Sequence, residues 1–145
     1  MAEVHLIVGI GVMATSLVAG VWGAYAWLRH RPSVIFWYQL RLSQACVVLQ
    51  VLLGALLVVL GHEPESKLHY LYGLLPLAIT LATESMRAGG AQRELGDRNV
   101  GVMTEAEQEQ LALRIVRFEM GIMALGALVI FGLAVRAGMT SGHLF

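Results

Sequence analysis

The sequence predicts an all-α protein, an integral membrane up-down four-helix bundle with both termini outside. Three observations favour it. Of the 145 residues, 57% are hydrophobic and 14% are charged, whereas soluble domains are usually about 25% charged. Four apolar stretches are each long enough to cross a bilayer as a helix, which takes about 20 residues. The connections between the first three stretches are short, as expected between antiparallel neighbours in a bundle.

The four spans belong to a single membrane domain and cover about residues 4–28, 34–61, 68–86 and 112–136. The first contains no Asp, Glu, Lys or Arg. No positive segment precedes it and no small-residue cleavage site follows a short apolar core, so we interpret it as a retained helix rather than a signal peptide. The second carries Arg41 near its start, the third Glu84 near its end, and the fourth Glu119 in its first turns.

The longest connection is predicted to be a cytoplasmic loop over residues 88–104, because it is rich in glycine and mixed in charge. Thr104 closes it, and Glu107 follows three residues later. This spacing is typical of a capping box, in which the two side chains satisfy free N–H groups at a helix start. The fourth helix is therefore expected to begin at Glu105.

Lysine and arginine predict the orientation, because cytoplasmic loops are enriched in both. Eight of the ten cations fall on one side: Arg29, Arg31, Arg41, Arg87, Arg93, Arg98, Arg114 and Arg117. Lys67 and Arg136 fall on the other. In a bacterial plasma membrane, both termini and the segment around His62 would then lie outside.

The composition also excludes several classes of function. The formal net charge is zero, so the chain has no basic field for nucleic acid. Its one cysteine, Cys46, rules out a disulfide framework, a redox thiol pair or a cysteine-based zinc site within one chain. The spans have no acidic residue at mid-depth, which argues against a small proton-coupled exporter.

Two histidines share a local pattern. His5 is followed by Gly9 and His69 by Gly73, each at the outer start of a helix that runs inward. In an up-down bundle these helices lie diagonally, roughly 13 Å apart when neighbouring axes are about 8–10 Å apart. Two such imidazoles can hold one heme iron between them. The glycine one turn below each histidine leaves space for the ring, and Gly54 and Gly126 on the other two helices are expected to flank its edges.

Two other interpretations of the histidines stay open. Histidines at membrane interfaces also serve as hydrogen-bonding groups that join helices. A small outer metal site for copper or zinc is the third interpretation, with ligands drawn from His62, Glu63, Glu65 or His143.

The stretch from Val47 to Leu77, VVLQVLLGALLVVLGHEPESKLHYLYGLLPL, resembles part of the heme A synthase family. In that family a span with a Gln-x-x-Leu-Gly pattern leads to a short outer loop, and the next span opens with Leu-His. Here the pattern covers Gln50 to Gly54 and is followed by Leu68-His69. The resemblance implies that His69 ligates heme and that His5 matches the family's other ligand.

The likeness covers roughly the first three helices, and the departures limit what it implies. The chain is about half of that two-halved fold. It lacks the long first outer loop with its carboxylate and cysteine pair, and His5 is followed by leucine where arginine is common. The resemblance therefore implies a heme-binding half-module and not the oxidation chemistry of that family.

Two further polar features lie within the spans. An isolated charge is costly there, so Arg41 is expected to pair with Glu84 or Glu119. The pair serves as a structural clamp or, alternatively, as part of a quinone or proton site. Gln50 is expected to bond Thr15, Ser16 or Thr80, or else to contact a cofactor.

Together these observations predict a small membrane b-type cytochrome that binds heme b through His5 and His69 and has no catalytic activity of its own. Its partners would be membrane lipid and either a quinol or an outer-face redox protein. There are two alternatives. One is a heme-free accessory or scaffold subunit of a larger membrane complex, and the other is an outer-face metal-binding protein. The partners would then include the other subunits of such a complex or a second copy of the chain.

Overall fold

The computed structural model of the protein describes residues 2–62, 64 and 66–140. Four long helices account for most of this part of the chain: α1 (Ala2–Leu28), α2 (Val34–Val59), α3 (Leu68–Leu95) and α4 (Glu105–Met139). A short 3-10 helix, Val100–Val102, lies between α3 and α4. No strand occurs within the described residues, and the all-α prediction is confirmed.

Three of the helices, α1, α2 and α4, are long and apolar enough to cross a membrane by length and composition. Large apolar side chains remain exposed along all four, as in Ile7, Leu52, Leu74 and Leu125. A bilayer can cover such side chains, because lipid is as apolar as a leucine side chain. Helix α3 is not among the three, since histidine, tyrosine and glutamate interrupt its apolar residues.

The helices are antiparallel in chain order. Helix α1 packs against α2 and α4, and α3 packs closely against α4 and more sparsely against α2. Helices α1 and α3 therefore lie on a diagonal of the bundle. Ser16 and Ser43 join α1 to α2 in the interior through hydroxyls 2.8 Å apart, and both side chains are buried.

Two clusters of buried side chains form the core along the bundle axis. The larger one surrounds Phe36, which is fully buried, and it includes Met120 and Met123 of α4. The smaller one contains Val12, Val47 and Ile130. The larger cluster lies toward the arginine-rich end of the bundle and the smaller one toward the histidine end, so the apolar core separates the two polar ends.

Helix α3 is longer than the sequence predicted. It continues through residues 88–95, so the first half of the predicted 88–104 loop is helical. The glycines at 89 and 90 looked like helix breakers, but Gly90 is buried against the ring of Phe118 in α4, at a place where a Cβ would overlap that ring. The close packing of α4 maintains the helix, which ends before Gly96 with φ at 52°.

The start of α4 is the one predicted from the sequence. The Thr104 hydroxyl accepts the backbone N–H of Glu107 at 3.4 Å, and the Thr104 backbone N–H donates to the Glu107 carboxylate at 2.8 Å. The capping box and the start at Glu105 are thus confirmed. The Thr104 hydroxyl also donates to the same carboxylate oxygen at 2.8 Å. The bonds that the carboxylate accepts, from the Thr104 backbone first and the hydroxyl second, hold the pKa of Glu107 below its usual value.

Candidate functional site

His5 lies in the first turns of α1 and faces α2. Its Nε2 is 3.1 Å from Nε2 of Gln50. Because an amide nitrogen only donates, this contact makes His5 Nε2 the acceptor and leaves the ring proton on Nδ1. Within the described part of the chain, His5 Nδ1 and Gln50 Oε1 are buried without a hydrogen-bond partner. The predicted partners of Gln50, namely Thr15, Ser16 and Thr80, bond elsewhere.

His69 lies in the first turn of α3 and faces α4. Its Nδ1 is 3.0 Å from the carbonyl oxygen of Ala137. A carbonyl only accepts, so Nδ1 carries the proton and Nε2 is left with a lone pair. None of the hydrogen bonds among residues 2–62, 64 and 66–140 uses this Nε2. A backbone carbonyl that orients a histidine in this way is a common companion of metal-ligating imidazoles.

The two imidazoles meet across the bundle axis. Their ring centroids are 6.1 Å apart and their planes are inclined by 60°. Two iron–nitrogen bonds of about 2.0 Å, plus about 1.2 Å from each nitrogen to its ring centre, put the centroids of an axial pair about 6.4 Å apart. The observed separation is close to this value. For His5 to contribute its Nε2, it would have to release Gln50.

The glycines predicted around the histidines divide into two groups. Gly54 lies beside His5, where an added Cβ would be 3.2 Å from the imidazole Cε1. A Cβ at Gly9 would be 3.0 Å from Gln50 Nε2, and one at Gly73 would meet no described atom within 4 Å. Gly54 and Gly9 thus allow His5 and Gln50 to pack closely against the backbone, and Gly73 faces open space.

Gly126 does not belong with them. A Cβ there would be 2.6 Å from Cγ2 of Thr83, and Thr83 is fourteen residues along α3 from His69. At 1.5 Å per residue this is roughly 20 Å of helix. Gly126 therefore serves close packing of α4 on α3, and its place at the edge of a heme stays a prediction.

The outer metal site has little to support it among the described residues. They contain no group of three or more His, Cys, Asp or Glu side chains that could hold a metal ion. His62 is exposed. Glu63, Glu65 and His143 lie outside the described residues.

At the opposite end, an ion-pair network joins three helices. Arg41 of α2 donates to Glu84 of α3, and Gln44 donates to the same carboxylate oxygen at 2.8 Å. The second oxygen of Glu84 accepts from Arg87 Nε at 2.8 Å. Arg87 also lies 3.5 Å from the carboxylate of Glu119 in α4. Glu119 thus pairs with Arg87 rather than with Arg41.

Sequence reasoning missed three participants. Arg87 was assigned to the cytoplasmic side but not to the ion pair, although its i,i+3 spacing from Glu84 was a usable signal. Gln44 has the same spacing from Arg41. Nothing in the sequence indicates that the Ala137 carbonyl bonds His69. Any backbone carbonyl near that end of α4 could do so, and the packing of the helices decides which one does.

We compared the chain with protein-family models, curated proteins and solved structures, and none of them matches it.

Proposed function

We propose that the chain is a small membrane b-type cytochrome that holds one heme between His5 and His69 and serves one-electron transfer. The observation that supports this most is the 6.1 Å separation of the two ring centroids. Each ring has an unprotonated Nε2 with a lone pair: that of His69 makes no hydrogen bond among the described residues, and that of His5 accepts from Gln50.

The protein groups would orient the ligands rather than react. The Ala137 carbonyl fixes the tautomer of His69, with the proton on Nδ1 and a lone pair on Nε2. Gln50 holds His5 when no cofactor is present and would have to rotate away to free Nε2. A heme with two imidazole ligands has no open iron position, so it supplies electron transfer and not oxygen binding or catalysis.

The proposal places four helices in a bacterial plasma membrane, with residues 68–86 crossing it as well as the three apolar helices, and both termini outside. The cation distribution supports this orientation. It puts the histidines at the outer face and the ion-pair network at the cytoplasmic face. The electron partner is then a quinol in the membrane or a redox protein on the outer side.

A second candidate is a heme-free accessory or scaffold subunit of a larger membrane complex. The hydrogen bonds themselves favour it: His5 bonds Gln50 across α1 and α2, and His69 bonds Ala137 across α3 and α4. These contacts close the outer end of the bundle without any cofactor.

The visible spectrum separates the two candidates. We expect protein purified in mild detergent from heme-sufficient cells to show a reducible Soret band with sharp low-spin α and β bands. The heme content should be about one per chain. His5→Ala and His69→Ala should each abolish the low-spin spectrum, because each removes an axial ligand. A colourless preparation would refute the cytochrome and leave the scaffold.

Two controls keep the result specific. His62→Ala should leave the spectrum intact, because this exposed histidine lies in the outer loop. In His69→Gly, added imidazole should restore the low-spin bands, which a merely misfolded variant would not do. A low-spin spectrum that persists in His5→Ala would refute the assignment of that ligand.

A further inference from the structure

We propose that the seam between α1 and α4 at the arginine-rich end binds one anionic phospholipid. Its phosphate would contact Arg31, Arg114 and Arg117, and one acyl chain would lie in the apolar groove beside them. This site is at the opposite end of the bundle from the histidines. It rests on membrane insertion and not on heme.

The headgroup part of the site is a cavity of about 210 Å³ where the α1–α2 turn faces the start of α4. Its lining residues include Trp27, His30, Arg31, Leu113, Arg114 and Arg117. Three arginines therefore border one cavity, and no Asp or Glu is among its lining residues. Among the described residues none of the three forms a salt bridge, whereas Arg41 and Arg87 both do.

The turn that carries Arg31 is held in place by its own bonds. His30 adopts φ of 55°, in the left-handed region that is uncommon for a residue other than glycine. Its ring Nδ1 is 3.0 Å from the carbonyl of Leu28, and the Arg31 backbone N–H donates to Ala26 at 3.0 Å. Arg31 therefore lies in an ordered turn, while Arg114 and Arg117 lie on α4.

The apolar part is a second cavity, of about 350 Å³, lined by Trp27, Phe118, Gly121, Ile122 and Leu125. Trp27 borders both cavities, so the groove continues from the arginines toward the centre of the bundle. A Cβ at Gly121 would be 2.9 Å from the indole nitrogen of Trp27. The glycine therefore allows the indole to lie on α4, and within the described part of the chain its N–H donates to no residue.

These features together match one occupant. A guanidinium binds phosphate oxygens through paired N–H donors, and basic pockets between spans on the cytoplasmic side are suited to anionic headgroups. A free phosphate would use the arginines but gain nothing from the apolar groove. A zwitterionic lipid would use the groove but place its own cation against three arginines. An anionic phospholipid satisfies both parts.

Native mass spectrometry of the full chain in an uncharged detergent tests the site. We expect one dioleoyl phosphatidylglycerol to be retained, and dioleoyl phosphatidylcholine to bind at least tenfold more weakly. Arg114→Gln/Arg117→Gln should weaken phosphatidylglycerol binding by about 20- to 30-fold, on the basis of about fivefold for each arginine near an anionic surface. Both positions are exposed, so the variant is expected to fold.

The matched control is Arg93→Gln/Arg98→Gln, which makes the same change in net charge at exposed cations outside both cavities. It should leave phosphatidylglycerol binding unchanged. Equal weakening by the control would overturn the proposal in favour of general charge attraction. Displacement of the lipid by millimolar inorganic phosphate, or equal retention of phosphatidylcholine, would also overturn it. The visible spectrum should not change in either variant, so failure here is separable from failure of heme binding.

Discussion

The side chains of His5, Gln50 and His69 lie close together and have more polar atoms than hydrogen-bond partners among the described residues. One His5 nitrogen is bonded to Gln50, while its other nitrogen and the Gln50 carbonyl oxygen are buried without partners among the described residues. A buried polar group without a partner costs about 1–3 kcal/mol. The hydrogen-bonding groups at the histidine end are therefore less well satisfied than a purely structural cluster would need them to be.

Gln50→Leu tests the role of this amide. The variant removes the only hydrogen bond that His5 makes within the described residues, so heme-free protein should lose about 1 kcal/mol of unfolding free energy. It should retain the low-spin heme spectrum, because the amide is not an iron ligand. Thermal unfolding followed by circular dichroism and the visible spectrum measure the two effects.

Gln39→Leu is the matched control. This residue lies on the same helix, and the structure shows no side-chain hydrogen bond for it within the described ranges. It adds the same apolar surface without removing a contact to His5. Equal stability of the two variants would contradict a structural role for Gln50. Loss of heme in Gln50→Leu alone would make the amide part of the cofactor site.

The helices are held together by glycines that let neighbouring elements approach closely. At Gly23 of α1, a Cβ would overlap the ring of fully buried Phe36 and would be 2.9 Å from the Cβ of Ala124. Neither neighbour can easily move, since both belong to the larger core cluster. Other glycines, such as Gly132 of α4, have no described atom within 4 Å of the same position. Some glycines thus allow close helix packing and others do not, although the sequence alone does not distinguish them.

Gly23→Ala and Gly132→Ala should change stability in opposite directions. Overpacking by one methyl group in a tight core usually costs about 1–3 kcal/mol, so Gly23→Ala should lower the unfolding temperature. Gly132→Ala should raise stability by about 0.5–1 kcal/mol, because alanine has fewer conformations than glycine in the unfolded chain. In the folded helix its methyl group would contact no described atom within 4 Å. Thermal unfolding in detergent measures both, and a neutral Gly23→Ala would contradict the tight α1–α2–α4 contact.

Polar links matter most on the α2–α3 side of the bundle, because these two helices pack sparsely against each other. Glu84 is the centre of these links. It accepts from Arg41 and Gln44 of α2 and from Arg87 of its own helix, and Arg87 continues to Glu119 of α4. The network closes the arginine-rich end of the molecule, while the His5–Gln50 and His69–Ala137 hydrogen bonds join the helices at the histidine end.

Glu84→Gln should therefore loosen the bundle. The amide keeps the size of the side chain but cannot accept charge-assisted bonds from two arginines. Breaking a fully buried ion pair costs about 3–5 kcal/mol, and the Glu84 side chain is 26% exposed, so we expect a loss of about 1–2 kcal/mol. Chemical unfolding measures it. Glu94→Gln, on the same helix but outside the network, should change stability by less than about 0.5 kcal/mol, and an equal effect of the two would contradict the role of Glu84.

The fold class and the local signals were predictable because they depend on residues near each other in sequence. The length of the apolar stretches predicted the helices, and the spacing of Thr104 and Glu107 predicted where α4 begins. Residues 88–95 were assigned incorrectly, because the packing of Phe118 onto Gly90 outweighs the helix-breaking tendency of glycine. The partner of Gln50 was missed for a similar reason, since an amide bonds whichever polar group the packing brings within reach.

By itself the sequence determined a four-helix chain with histidines at one end, arginines at the other and apolar surfaces between them. It also placed both histidines at matching depth, because each opens a helix of the same direction. Only the tertiary structure decided that the imidazoles lie 6.1 Å apart and that Gly126 packs on Thr83 instead of lying near them. The same packing placed Arg31, Arg114 and Arg117 around one cavity. The physical reason is common to all three: side-chain neighbours across helices depend on rotation and crossing of the helix axes, which periodicity along one chain does not define.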